Sequence, residues 1–260
     1  MSESVYVADG DRFLATELAR GPWDPDAEHG GAPAALLMRA FERVEGDPDL
    51  RLARVTYELL RPVPLGELML TTEVARPGRR VQLLDASLFA PDGTEVVRAR
   101  ALKVRRAPVE RTGSDTVPAP PDTGAVHMFE NGGTPMFGGG AIDLRFVAGS
   151  FYEQGPATGW FRLKVPVVAG ESPSPLQRLA AAADFPNGIA SNLPWDQYTF
   201  INPDLTIYVE REPVGEWIGL EAQMRVREGG IGFSEAVLYD RGGRVGRSLQ
   251  SLLITRRPTI

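Results

Sequence analysis

The chain has 260 residues, 43% of them apolar, enough for a substantial buried core divided over two units of roughly 100–150 residues. Its net charge is −6 with acidic and basic residues interspersed, which is not the basic stripe of a nucleic-acid binder. It has no cysteine, so disulfides, thiolate metal sites and a cysteine nucleophile are all excluded.

Along the chain, the opening MSESVYVADGDRF has neither the basic start nor the apolar core of a secretory signal. No stretch approaches the ~18 consecutive apolar residues of a membrane helix. A soluble, cytoplasmic chain without membrane or nucleic-acid partners is therefore expected. Gly30-Gly31 and Pro33 mark a helix start, because proline is tolerated in the first turn, and Leu37, Phe41 and Val44 form its apolar stripe. Residues 55–106 then alternate as half-buried strands, interrupted by turn signals at Arg76-Pro77-Gly78 and Pro91-Asp92-Gly93. The stretch 108–139 is rich in proline and glycine and lacks periodicity, as in a linker. Ser174-Pro175 opens a second helix, with Leu176, Leu179, Ala180 and Ala183 as its stripe. Residues 205–257 return to strands.

The second set of strands repeats the first. Thr56 matches Thr206, Gly66-Glu67 matches Gly215-Glu216, Gly93 matches Gly243 and Arg105-Arg106 matches Arg256-Arg257, at offsets of 149 to 151. One long period is the mark of a duplicated domain rather than of a solenoid. Helix followed by antiparallel strands, twice, predicts an α+β tandem hotdog fold, in which each sheet wraps a central helix. The expected division is 1–107 for the first unit, 108–139 for the linker and 140–260 for the second unit.

These segments resemble the double-hotdog acyl-CoA thioesterases of the thioesterase II type. The resemblance rests on HGGAPAALLMRA (29–40), TYELLRPVPLGEL (56–68), RPGRRV (76–81), AIDLRF (141–146), AAADFPNG (181–188), INPDLTIYVEREPVGEW (201–217) and SLQSLLI (248–254). It implies hydrolysis of acyl-CoA thioesters by a water that an Asp, a Thr or Ser, and a Gln of the second copy hold and polarise. Carried over by position, these are Asp184, Asn202 and Gln250. Asn202 departs from the family's hydroxyl: an amide can hold a water but cannot shuttle a proton. Thr199 or Thr206 takes the role if the local alignment slips. The resemblance implies acyl-CoA as the partner, requires no cofactor, and extends to a homo-oligomer of double-hotdog chains.

Read without the family, Asp184 is either a buried base or the local cap of a helix end. Gln250, in a strand apolar on both faces, must be hydrogen-bonded, either to a site or across the sheet. Asn202, before Pro203 and Asp204, also fits a plain Asx turn. Gly30 and Gly31 either let substrate approach the helix N-terminus or serve only a tight chain entry. His29 beside them either lines a pocket or is structural, and Thr206 completes the candidate substrate-contacting set.

Other chemistries lack their residues. A hydratase dyad needs an Asp and a His together, and the second copy has no histidine after His127. The nearest approach to G-x-S-x-G is Gly232-Phe233-Ser234-Glu235-Ala236, which lacks the final glycine. Two histidines 98 positions apart are poor zinc ligands, so no metal is expected. The alternative is a non-catalytic double hotdog that binds acyl-CoA or acyl chains. The first copy illustrates such a loss, since its RARALKV has no glutamine.

Overall fold

In the computed structural model, which describes residues 3–110 and 134–257, the two repeats fold alike and join edge to edge. The first comprises β1 (Tyr6–Asp9), β2 (Arg12–Ala15), α1 (Gly31–Arg43), β3 (Leu50–Leu59), β4 (Glu67–Arg76), β5 (Val81–Phe89) and β6 (Glu95–Arg105). The second begins with β7 (Ile142–Ala148), β8 (Ala157–Leu163), α2 (Pro175–Ala182) and the short α3 (Pro186–Ile189). It continues through β9 (Tyr198–Ile201), β10 (Asp204–Val209), β11 (Trp217–Val226), β12 (Ile231–Asp240) and β13 (Gly243–Arg256). Residues 111–133 of the expected linker, His127 among them, lie outside the described residues.

The strands form one antiparallel sheet in the order β1-β2-β4-β5-β6-β3-β10-β13-β12-β11-β8-β7, with β9 added against the end of β13. Read outward from the centre, the two halves have the same order, as a duplicated unit requires. The seam is the β3–β10 pair, where Thr56 lies opposite Thr206. These are the very threonines matched by the repeat, so a pseudo-twofold axis passes between them, and their hydroxyls bond at 3.1 Å.

The helices are the filling. Every residue of α1 from Gly31 to Phe41 is buried, against its own sheet and against α2. Leu36, Leu37, Met38 and Phe41 each contribute on the order of 1.5–3 kcal/mol by leaving water. Alanines on both helices keep the approach close. Ser174 caps α2 by accepting from the Gln177 N–H at 3.0 Å. Arg39 crosses to Glu171 with two bonds of 2.6 Å, which fastens α1 to the other half. The start of α1 is thereby pressed against the end of α2. No helix among the described residues is long and apolar enough to cross a membrane.

Candidate functional site

α2 ends at Ala182, and the chain turns through Asp184 into α3. The carboxylate of Asp184 is buried and does not cap its own helix. Its Oδ1 accepts from Asn202 Nδ2 at 2.8 Å and from Gln250 Nε2 at 2.9 Å. The Gln250 amide also reaches the Asp184 carbonyl at 3.3 Å. Both amides turn their NH2 groups to the acid, because their oxygens there would face another acceptor. The Gly31 N–H, from the other half, also acts on the carboxylate. Burial nevertheless dominates: it pushes the carboxyl up to about 7, against the lowering effect of Asn202, Gln250 and Gly31.

Asn202 serves two of its readings at once. It donates to the Asp204 carbonyl at 3.1 Å, a local turn, as well as to Asp184. Gln250 sits on β13 opposite Ser234 of β12, and both are fully buried, as is Ser248 two residues earlier. The expectation of a strand apolar on both faces needs correction. Its core side carries Ser248, Gln250 and Leu252, while Leu249 is half-buried and Leu253 is 59% exposed. Two polar residues thus point inward on this strand while Leu253 points outward, and of the two Gln250 is the one that bonds Asp184.

The helix start of the first half closes the site. A Cβ on Gly30 would stand 2.7 Å from Asp184 Oδ2, and one on Gly31 would stand 2.7 Å from the Ala181 carbonyl. Both glycines are thus required by the close approach of the two halves. The Gly31 N–H also donates to His29 Nδ1 at 3.0 Å, which leaves the ring proton on Nε2. His29 Nδ1 is 3.2 Å from Asp184 Oδ2. This contact is not an ion pair, since burial lowers the imidazole to about 3 and keeps it neutral. The ring is held between Phe137 and Phe185, at centroid distances of 5.1 and 4.4 Å.

A cavity of about 530 Å³ opens beside this cluster, and His29, Gly30, Asp184 and Asn202 line it. Gly31 and Gln250 stand behind that wall. Thr206 is not part of it, because its hydroxyl is engaged with Thr56 at the seam. Thr199 lines the cavity, but its hydroxyl pairs with that of Thr255 at 2.6 Å. Neither threonine therefore brings a hydroxyl to Asp184, and Asn202 alone occupies that position.

Two contributors escaped the sequence reading. Phe137 lies in the stretch read as linker, where an aromatic before three glycines was the available signal. Glu28 also lines the cavity; burial holds its carboxyl well above the usual range, and the Tyr6 hydroxyl donates to it. Among the described residues no group of three or more His, Asp or Glu side chains could hold a metal ion.

Two hotdog halves joined edge to edge, with a buried acid, two amides and a neutral histidine where their helices meet, define a thioesterase-type protein. Family comparison agrees: residues 19–104 match the acyl-CoA thioesterase N-terminal domain, and residues 113–254 match the acyl-CoA thioesterase C-terminal domain. The chain belongs to this acyl-CoA thioesterase family, and with it to the thioester hydrolases. Similar solved structures include a protein of unknown function with a hot dog fold from Alicyclobacillus acidocaldarius, at 17% identity and TM-score 0.74, covering 99% of this chain and 97% of that one. A candidate thioesterase from Novosphingobium aromaticivorans is 22% identical, with TM-score 0.73 and coverages of 96% and 98%. The acyl-CoA thioesterase II TesB2 of Mycobacterium marinum is 14% identical, with TM-score 0.68 and coverages of 98% and 95%. These likenesses concern the fold. Among curated proteins, none gives a significant sequence match.

Proposed function

We propose that the chain hydrolyses acyl-CoA thioesters with a water held and deprotonated by Asp184, whose position is set by Asn202 and Gln250. The observation that carries this reading is the Asp184 carboxyl itself. It lines a cavity, its Oδ1 is occupied by two amide donors, and burial tunes it to about 7. A base with that value exchanges protons readily near neutral pH.

Oδ2 takes a proton from the water as the water oxygen attacks the thioester carbonyl carbon. The resulting Oδ2–H has His29 Nδ1 at 3.2 Å as an acceptor. Charge gathers on the carbonyl oxygen, and the His29 Nε2–H and the N–H of Gly30 at the start of α1 are the donors on that side. When the C–S bond breaks, the thiolate of coenzyme A leaves and recovers the proton from Asp184. The products are the carboxylic acid and the free thiol. The division into 1–107, 108–139 and 140–260 assigns the donors to the first unit and the base to the second. A homo-oligomer of such chains and a cytoplasmic location belong to the same reading.

The test is thiol release from a panel of acyl-CoAs by wild type and Asp184→Asn. The asparagine can accept the same two amide donors and donate to His29 Nδ1, so it keeps the fold and removes the base. A loss of roughly 10³-fold in kcat/KM is expected, within the usual range for a general base. For wild type, kcat/KM should rise with pH through about 7, as the carboxylate forms. Saturable acyl-CoA binding without turnover in wild type would instead favour the non-catalytic binding protein.

A further inference from the structure

Beside the site cavity lies a second one of about 500 Å³, lined by the apolar Met136, Phe151 and Ile189 and also by the exposed Glu153, Gln154 and Asp196. The two cavities share three wall residues, Pro22, Gly188 and Trp195. Trp195 is the only large side chain of the three. Its six-membered ring lies on Gly188, where an added Cβ would meet Cζ2 at 3.8 Å and Cη2 at 4.0 Å.

The indole is locked from both sides. Trp23, from the first half, stacks on it at 4.8 Å with planes 15° apart, and Phe200 meets it edge-on at 4.6 Å. Phe200, Met224 and Leu252 form a small core of their own, separate from the main one, and Trp23 and Trp195 pack against it. The turn that carries Trp195 is fixed by the Pro194 carbonyl, which accepts from the N–H groups of Gln197 and Tyr198. Such a wall does not yield when a chain end presses on it.

We propose that Trp195 is the septum that sets the upper limit of acyl-chain length, and that the cavity behind it is a closed-off extension of the acyl site. This rests on the acyl-CoA reading above, and gives it a substrate class: acyl groups that end before the indole. The apolar end of the substrate runs toward the aromatic Trp195 wall, and the exposed Arg61 in the lining of the same cavity suits the charged coenzyme.

The test uses S-alkyl-CoA thioethers from butyl to hexadecyl, which lack the carbonyl and cannot be hydrolysed, with Kd read by calorimetry. In wild type, affinity should climb about 4-fold per methylene (about 0.8 kcal/mol) and then stop climbing at the septum. Trp195→Ala should move that break to longer chains by several methylenes, and Trp23→Ala, which unlocks the indole, by fewer. Placing bulk in the far cavity, as Trp195→Ala with Ile189→Trp, should move it back. If circular dichroism shows Trp195→Ala misfolded, Trp195→Leu takes the same measurement.

A break at the wild-type length in the folded variant, or no break in wild type, overturns the septum. Since binding alone is read, a shift without any thioester turnover would support the septum while sinking the hydrolytic reading. No binding of any thioether would overturn both.

Discussion

The pseudo-twofold axis makes two meetings of helix start and helix end, and only the one at Asp184 lines the cavity of the candidate site. At the first, the start of α1 meets Asp184 after the end of α2, beside an open cavity. At the second, the start of α2 meets Glu42 near the end of α1. There Ser174 Oγ and Gln177 Nε2 both donate to Glu42 Oε2, at 2.7 and 3.1 Å. Burial raises the Glu42 carboxyl too, in this case against those two donors, and Lys103 draws it back down. Glu42 lines neither of the two cavities described, whereas His29, Gly30 and Asp184 line the site cavity.

The sheet shows the same division. Thr56 pairs with Arg100 where Thr206 pairs with Leu249, so Ala101 occupies the position of Gln250 and Ala99 that of Ser248. Leu84 lies opposite Ala101 as Ser234 lies opposite Gln250. One half kept an apolar core behind its helix, and the other spends three buried polar side chains there. A backbone duplicated with its register intact is therefore compatible with either a core or a site. Both acids have an amide partner, and what separates them is whether the acid opens on a cavity.

The sharpest way to break this contrast is to neutralise each acid. Asp184→Asn should lower kcat/KM by roughly 10³-fold, whereas Glu42→Gln should leave it within about twofold and act on stability by about 1 kcal/mol or less. Equal losses in the two variants would mean that the comparison has been misassigned. Gln250→Ala comes next, with an expected loss of roughly 10²-fold. Because one of the donors that lower the Asp184 carboxyl disappears, the alkaline rise of kcat/KM should also move to higher pH. An unmoved pH profile would show Gln250 to be structural.

Gly30→Ala tests the closeness of the halves. Its Cβ would meet Asp184 Oδ2 at 2.7 Å, so a drop of about 1–3 kcal/mol in chemical unfolding is expected, together with weakened turnover. A separate effect to resolve is the pH dependence of stability. Asp184 has its carboxyl raised on folding, so its contribution is fully present below the unfolded value near 3.8 and is lost as pH rises through about 7. Asp184→Asn should therefore gain on wild type by about 2–4 kcal/mol as pH passes from well below to well above that range. His29 acts in the opposite window: held neutral down to about 3, it lowers stability as pH falls below its unfolded value of 6.5.

Much of this was legible in the sequence, for a physical reason. Strand alternation, turn glycines and a 150-residue repeat are local or periodic properties, so two hotdog units and their order followed from the chain alone. The candidate acid and its two amides came from the family resemblance, and two of them also stand out as polar residues at otherwise apolar positions: Asp184 after an alanine-rich helix and Gln250 between leucines. The tertiary structure decided what those residues touch. Only packing of the two halves could show that Gly30 and Gly31 are required by the Asp184 side chain and Ala181 backbone, 154 and 150 positions away. Only packing could place Thr206 on the symmetry axis instead of in the cavity, Phe137 against His29, and Trp195 between two cavities. Burial tuned the acid to about 7 and the histidine to about 3, and burial is a property of the assembled fold.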